Sequence, residues 1–412
     1  MLRSVLPVQS LLLAIFILMA GGGFMTSFVS VRLEAAGYRA PVIGLVTTAY
    51  FVGLTIGSLR VTRVIERVGH IRTFSAVVSL LSASTLAYAL GESAAWWILL
   101  RLVDGLCVAG VFVCLESWLN EQAEPATRGS VLAAYMIALY AGQAVGQYLL
   151  NLDGAAMLPF VVASILMSLA VLPISLTRMA SPVVGEQAKL SIERLYTASP
   201  LGFVGVAITG LMLGAFYALG AVYAQRQGMA LSQTALFMSG VIAGGVALQW
   251  PLGWLSDRYD RRRVIVGALL GAMIVAVLLA AISPSGAGLM ALGALFGGLG
   301  FSLYPLCVGH TNDHLHASER VGASGGLVLV YSVGAALGPL TGSVAMLLLG
   351  PAGLFIWIGG CAAAGLGFAL WRQQRRAPVP EAQQQPYQLL PRTTPMAAQL
   401  AEADDAVGPQ PR

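Results

Sequence analysis

The few ionisable side chains that fall inside apolar stretches of this sequence mark where chemistry with protons or ions can take place. Arg101 and Asp104 stand at i and i+3 in one such stretch, so on a helix they share a face and can neutralise one another. Glu116 follows in the same stretch, about 18 Å beyond Asp104 at the helical rise per residue. A carboxyl there either carries a proton or is held by hydrogen bonds to Arg128 or to helix 10 or 11. His310, Asp313 and His314 stand at i, i+3 and i+4, a spacing that lets two imidazoles share a metal on one face. With no third strong ligand beyond Asp313, the preferred reading is a polar helix end pairing with Arg320, and no metal is assigned; His310 as a proton relay stays open. The cysteines, Cys107, Cys114, Cys307 and Cys361, lack CxxC spacing and sit in apolar runs, as small buried hydrophobes do. There is no phosphate-cradling GxxxxGK, so a nucleotide is not the expected energy source and no cofactor is expected.

Long apolar elements must position these residues, and the composition supplies them. Of 412 residues, 57% are hydrophobic and 10% charged, with a mean hydropathy of +0.79, whereas a soluble globular chain is about 25% charged. The chain is predicted to be an integral membrane protein. Its net charge of +5 then reports membrane orientation and not a nucleic-acid partner. Runs near the roughly 20 residues that cross a hydrocarbon layer are expected at about Leu11–Val31, Pro41–Val61, Thr73–Leu90, Ala95–Asn120, Ser130–Leu152 and Met157–Leu176. A second set follows at Leu201–Ala224, Gln233–Leu255, Val264–Ser283, Ala287–His310, Val321–Leu349 and Ala352–Trp371. A signal peptide explains the first run less well, because the run is too long and the pattern recurs.

The two sets repeat at an offset of about 190 residues, which sets QWPLGWLSDRYDRRR, Gln249 to Arg263, against TRVIERVGHIR, Thr62 to Arg72. A loop of about eight residues rich in Arg is expected in Gln249 to Arg263. The predicted units are 1–176, a first six-helix bundle; 177–200, a linker with a short surface helix in AKLSIERLY; 201–372, a second bundle; and 373–412, a disordered tail rich in Pro, Gln and Ala. Six plus six spans place both termini on one side. The segments on that side hold Arg60, Arg63, Arg67, Arg72, Arg178, Lys189, Arg258, Arg261, Arg372 and Arg375 among others, against Arg32, Arg39 and Arg226 opposite. Both termini are therefore expected in the cytoplasm, with the chain in the inner membrane.

Here the residues carry a family resemblance. Gly253, Leu255, Asp257, Arg258 and Arg261 match the loop motif of the major facilitator superfamily of secondary transporters, with Asp260 where that motif has Gly. In the first half Glu66, Arg67 and Gly69 keep the pattern, while Thr62 and His70 depart from it. ESWLN at Glu116 to Asn120, RGSVLAAYM from Arg128, and LYP at Leu303 to Pro305 resemble a branch labelled YcaD-like. The resemblance implies an all-α integral membrane fold of twelve transmembrane helices in two pseudo-symmetric six-helix bundles. It also implies that Arg101, in RxxxG with Gly105, takes part in proton coupling or in holding an anionic group, with Asp104 beside it.

A carboxylate at a helix end facing a helix N-terminus and guanidiniums makes a clasp that opens when the halves rock. Glu66, Arg67, Gly69, Gly253, Asp257, Arg258 and Arg261 are expected to gate in this way; loops that only enforce topology are the alternative. Arg101, Asp104, Glu116, His310 and Asp313 are the proton-coupling or cavity charges. Gly142 and Gly146, and Gly334, Gly338, Pro339 and Gly342, form small-residue seams suited to packing and hinging. GAALGP resembles an exporter signature of the family that normally marks the fifth helix, where Gln147 replaces Pro. A midplane pocket among helices 1, 4, 5, 7, 8, 10 and 11 is expected to draw on Tyr135, Tyr140, Gln143, Gln147, Tyr217, Gln249, Trp250, Tyr304 and Tyr331. The mixture suits a small organic or amphiphilic solute exchanged for protons by a monomer. Proton-coupled uptake, a non-transporting sensor with the tail as output, and an enzyme built on His310, Asp313 and His314 are the rivals; the enzyme is the least favoured.

Overall fold

The computed structural model describes residues 6–124, 127–152, 154–177, 182, 190–281, 286–375, 379–380, 384–394 and 396. Among them are twelve helices long and apolar enough to cross a membrane. The first six are α1 Gln9–Ala35, α2 Ala40–Val68, α3 His70–Ala87, α4 Ala94–Gln122, α5 Arg128–Gly146 and α6 Leu158–Ser175. The second six are α7 Pro200–Arg226, α8 Leu231–Arg258, α9 Arg261–Ala281, α10 Ala287–Asn312, α11 Ala317–Leu349 and α12 Gly353–Arg375. The start of α1 and the end of α12 lie on one face of this array, called here the terminal face; the opposite face is the far face.

The helices outrun the apolar runs that announced them. α8 continues to Arg258 and α9 starts at Arg261, so the charged loop is Tyr259 and Asp260 alone, shorter than the eight residues expected. Arginine is a good helix former once outside the hydrocarbon, and Arg258 folds its guanidinium back over the Trp254 ring, 4.0 Å from its centroid. The equivalent join between α2 and α3 is Gly69, whose φ of +85° an L side chain adopts only with strain. Of the expected surface helix, Ile192–Ala198 is helical, with Leu195 buried and packed toward Gly326.

Close backbone contact at glycine binds each bundle, and the contacts repeat between bundles at offsets of about 190 residues. A Cβ at Gly142 or Gly146 in α5 would strike the carbonyls of Phe16 or Ala20 in α1; at Gly334 or Gly338 in α11 it would strike those of Ala207 or Leu211 in α7. Gly53 in α2 and Gly105 in α4 lie on the carbonyls of Leu102 and Tyr50, and Gly244 in α8 and Gly297 in α10 lie on those of Ala294 and Val241. Lipid tails are as apolar as a helix face, so membrane helices associate through such packing more than through the hydrophobic effect.

Between the bundles, direct hydrogen bonds sit in the half toward the far face. Arg226 at the end of α7 donates to both carboxylate oxygens of Glu34 at the end of α1, at 2.7 and 2.9 Å. The Ser239 hydroxyl donates to the Ala144 carbonyl at 2.7 Å, and the Thr48 hydroxyl to that of Ala336 at 2.8 Å. Toward the terminal face the bridging is done by the C-terminal segment. The expected disordered tail is not what residues 384–394 show: they run between the bundles, with Leu390, Pro391 and Thr394 buried. Two prolines, Pro386 and Pro391, hide this segment from any helical or strand periodicity.

Gly105→Leu should push α2 from α4 and lower the melting temperature in detergent by several degrees or abolish the folded yield, overpacking costing about 1–3 kcal/mol or more. Gly240→Ala, where a Cβ meets nothing within 4 Å, should melt at or above the unaltered chain. Equal melting of the two variants would mean the glycine seam does not hold the bundle.

Candidate functional site

A cavity of about 1050 Å³, its open mouth included, lies between the bundles. α1 contributes Gly22, Gly23 and Thr26; α2 contributes Tyr50 and Phe51; α4 contributes Arg101 and Asp104; and α5 contributes Tyr140 and Gln143. From the second bundle come Tyr217 of α7 and Tyr331 of α11, and from the C-terminal segment Pro391, Arg392 and Thr393. Neither α8 nor α10 is among the lining elements, which departs from the expected set; α2, α3 and α6 take part instead. Glycine serves α1 here because a Cβ at Gly23 would meet Gln143.

Arg101 and Asp104 are 2% and 4% exposed and 3.8 Å apart. The Asp104 carboxylate also accepts from the Tyr88 hydroxyl at 2.6 Å and the Ser84 hydroxyl at 2.7 Å, while the Arg101 guanidinium lies 5.2 Å from the Tyr50 ring centroid. Asp104 is thus fully held. Arg101 is less so: its Nε and Nη2 are buried at the cavity wall without hydrogen-bond partners. The Gln143 Oε1 is a buried acceptor in the same condition. The wall therefore offers a solute both donors and an acceptor.

Glu116, fully buried on α4 nearer the terminal face, accepts from the Tyr135 hydroxyl at 2.9 Å and from the hydroxyls of Thr393 and Thr394. The expected partner Arg128 instead donates to the Ala123 carbonyl at 3.4 Å. Of the remaining pocket residues read from the sequence, Tyr140, Gln143, Tyr217 and Tyr331 line the cavity. Tyr304 is buried edge-on to Tyr331 at 5.5 Å, and Gln147 donates to the Gly23 carbonyl at 3.1 Å. Gln249 is buried outside the lining. Trp250 is a correction: at 71% exposure it faces outward, because one residue turns a helix by about 100° and places it on the lipid-facing side.

The gate residues separate into two groups. Glu66 and Arg67 are exposed at the end of α2 and have no hydrogen-bond partner among the described residues. On the other side a network closes on the C-terminal segment and not on the first bundle. Arg261, 1% exposed, donates to both Asp313 oxygens at 2.9 and 2.7 Å, to Asp257 at 3.4 Å and to the Gln385 carbonyl at 2.6 Å. The Gln385 backbone N–H returns to Asp313 at 2.8 Å, and the Tyr387 N–H donates to Asp257 at 2.7 Å. A Cβ at Gly253 would overlap the Tyr387 ring, so the glycine admits that ring. Burial pushes the Asp313 carboxyl above its usual range, against the pull of Arg261. At Asp260 burial pushes the same way, but hydrogen bonds from Arg262 prevail and hold it below.

The His310 and His314 rings meet edge to face at 4.8 Å between centroids, with His314 Nδ1 2.9 Å from the His310 carbonyl oxygen, in a smaller crevice shared with Asp260, Arg262 and Arg372. Among the described residues no group of three or more His, Cys, Asp or Glu stands at metal-binding spacing. The four cysteines are free and buried. Reading the sequence missed Tyr50, Phe301 and the segment PYQLLPRTTP. The last sets two leucines, two threonines and one arginine between prolines, a weak signal that composition alone assigns to disorder.

Comparison with known proteins fits this geometry. The Major Facilitator Superfamily model matches residues 11–248 and again 202–398. The uncharacterized MFS-type transporter YcaD of Salmonella dublin is 30% identical over 342 residues, 81% of this chain and 87% of the relative; that of Salmonella arizonae is 29% identical over 341 residues. A mutant of the nucleoside transporter NupG superposes with a TM-score of 0.76 at 12% identity, over 89% of this chain and all of that one. A bacterial homolog of the human lysosomal transporter Spinster, in an inward-facing and occupied conformation, gives 0.73 at 15% identity, over 93% and 98%.

Removing one member of the buried pair tests its role in the cavity wall. Arg101→Leu strands the Asp104 charge and should cost about 3–5 kcal/mol, read as a large drop in melting temperature. Arg101→Leu with Asp104→Asn should recover at least half of the drop. Equal melting of the single and double variants would mean that Arg101 does not compensate Asp104.

Proposed function

From the premise that this chain belongs to the Major Facilitator Superfamily, we propose that it exports a small amphiphilic organic solute in exchange for protons. Membership makes the chain a multi-pass membrane transporter of a small solute, not an enzyme. The finer reading is carried by one observation: a cavity between the bundles, with its direct inter-bundle bonds toward the far face, has the buried Arg101–Asp104 pair in its wall and Glu116 beneath. Such an arrangement suits one stage of alternating access, in which the bundles rock about a central site.

The terminal face is the cytoplasmic one in this reading, because Arg60, Arg63, Arg67, Arg72, Arg258, Arg261, Arg372 and Arg375 collect there, and the membrane is the inner membrane. The cavity then opens inward, the conformation named for the Spinster homolog. Asp104 and Glu116 are the proton carriers, since ionisable groups buried in membrane spans commonly form proton relays. Arg261 with Asp257 and Asp313 is the charged cluster that rearranges when the terminal face closes. One chain supplies the whole cavity, so a monomer suffices.

Reconstituted vesicles with an imposed pH gradient, screened with a pH-sensing dye against a solute library, test the reading. Exported solutes should move protons opposite to themselves; co-directional movement would make the protein a symporter, and none would remove proton coupling. Glu116→Gln should slow gradient-driven transport about tenfold or more while leaving solute exchange largely intact. If neither rate changes, Glu116 has no coupling role.

A further inference from the structure

The segment Gln385–Thr394 enters the vestibule along the rim of the second bundle, where Gln385 and Tyr387 bond Arg261, Asp313 and Asp257. It leaves along the first bundle, where Thr393 and Thr394 donate to Glu116 and the Met396 carbonyl accepts from the Asn120 amide at 2.7 Å. Its deepest part, Pro391 to Thr393, shares the cavity with Arg101 and Asp104. There the Arg392 guanidinium carbon stands 4.5 Å from the Phe301 ring centroid and 5.5 Å from that of Tyr331, and its Nη2 donates to the Tyr140 hydroxyl at 3.0 Å. Tyr217 completes the aromatic wall, 6.1 Å from Phe301 between centroids.

We propose that the cavity is a seat for an organic cation and that Arg392, on the chain's own C-terminal segment, is its resident competitor. The proposal rests on the transport reading and gives its solute a chemical class. Aromatic faces attract a cation through their quadrupoles, most of all one with a flat, weakly hydrated head such as a guanidinium. The charges agree. With both carboxylates ionised, Asp104 and Glu116 outnumber Arg101, and an uncompensated charge in an apolar interior is costly; the Arg392 cation restores balance.

Unsatisfied atoms sharpen the class further. Arg392 Nη1 is buried without a partner, and the Gln143 Oε1 in the same cavity is a buried acceptor without one. The segment is therefore an imperfect filler, and a free solute with N–H donors can satisfy Gln143 as Arg392 does not. The free donors of Arg101 add room for an acceptor on the solute's other end. The class is a guanidinium- or amine-headed amphiphile carrying a hydrogen-bond acceptor. Exchange of such a monocation for a proton would keep the cavity's charge constant through the cycle.

The test uses the purified full-length chain and tritiated benzylguanidine, with tritiated benzoate as the anion of similar frame. If the segment is seated about nine-tenths of the time, it weakens the apparent affinity of a competitor about tenfold. Arg392→Gln should therefore bind benzylguanidine about tenfold or more tightly than the unaltered chain, Phe301→Ala in that background should lose the gain, and benzoate should bind neither. Equal affinities with and without Arg392, a preference for benzoate, or failure of benzylguanidine to bind two equally well-folded proteins would overturn the proposal. Proton-linked flux of library solutes, measured in parallel, separates the two readings. Flux of neutral solutes without benzylguanidine binding leaves transport standing and removes the cation seat, whereas competitive binding without flux does the reverse.

Discussion

A charge inside an apolar body as thick as a bilayer has to be matched at contact distance, and that constraint orders the interior of this protein. Asp104 is ringed by Arg101, Tyr88 and Ser84; Glu116 by Tyr135, Thr393 and Thr394; Arg261 by Asp313, Asp257 and the Gln385 carbonyl. Two of these three clusters are completed only by the C-terminal segment. Its place in the vestibule therefore belongs with the energetics of the core and not with surface decoration.

The second organising element is the glycine seam. Because lipid gives helices little hydrophobic reason to associate, contact must come from shape, and glycine lets one backbone rest on another. The seams α1–α5 and α2–α4 recur as α7–α11 and α8–α10. They hold each bundle together. One glycine contact also crosses between the bundles, where a Cβ at Gly44 in α2 would strike the Pro339 carbonyl of α11, so α2 and α11 pack as closely as a pair within one bundle.

The place of a motif loop in the fold does not fix its partner. Asp257 and Arg261 sit at the helix ends where a clasp was expected, yet their partners lie within the second bundle and on the C-terminal segment. A gate residue's contacts depend on the stage of the cycle, and the sequence holds all stages at once. In this structure the network accepts the Gln385 and Tyr387 backbones.

The sequence by itself determined the membrane class, the twelve spans, the duplication and the pairing of Arg101 with Asp104, because hydropathy, period and i,i+3 spacing are local properties of a helix. Four of the expected pocket residues, Tyr140, Gln143, Tyr217 and Tyr331, also line the cavity, since polar side chains inside apolar spans have few other places to face. Only the tertiary structure decided that Trp250 points away from the cavity, that Phe301 meets the Arg392 guanidinium without lining the cavity, and that α8 and α10 stay out of its wall, because helix rotation is set by packing against neighbours. It alone decided the course of residues 384–394, which have neither helical nor strand period. Their conformation comes from hydrogen bonds to Glu116, Asp257, Arg261 and Asp313, groups brought together from helices far apart in the chain.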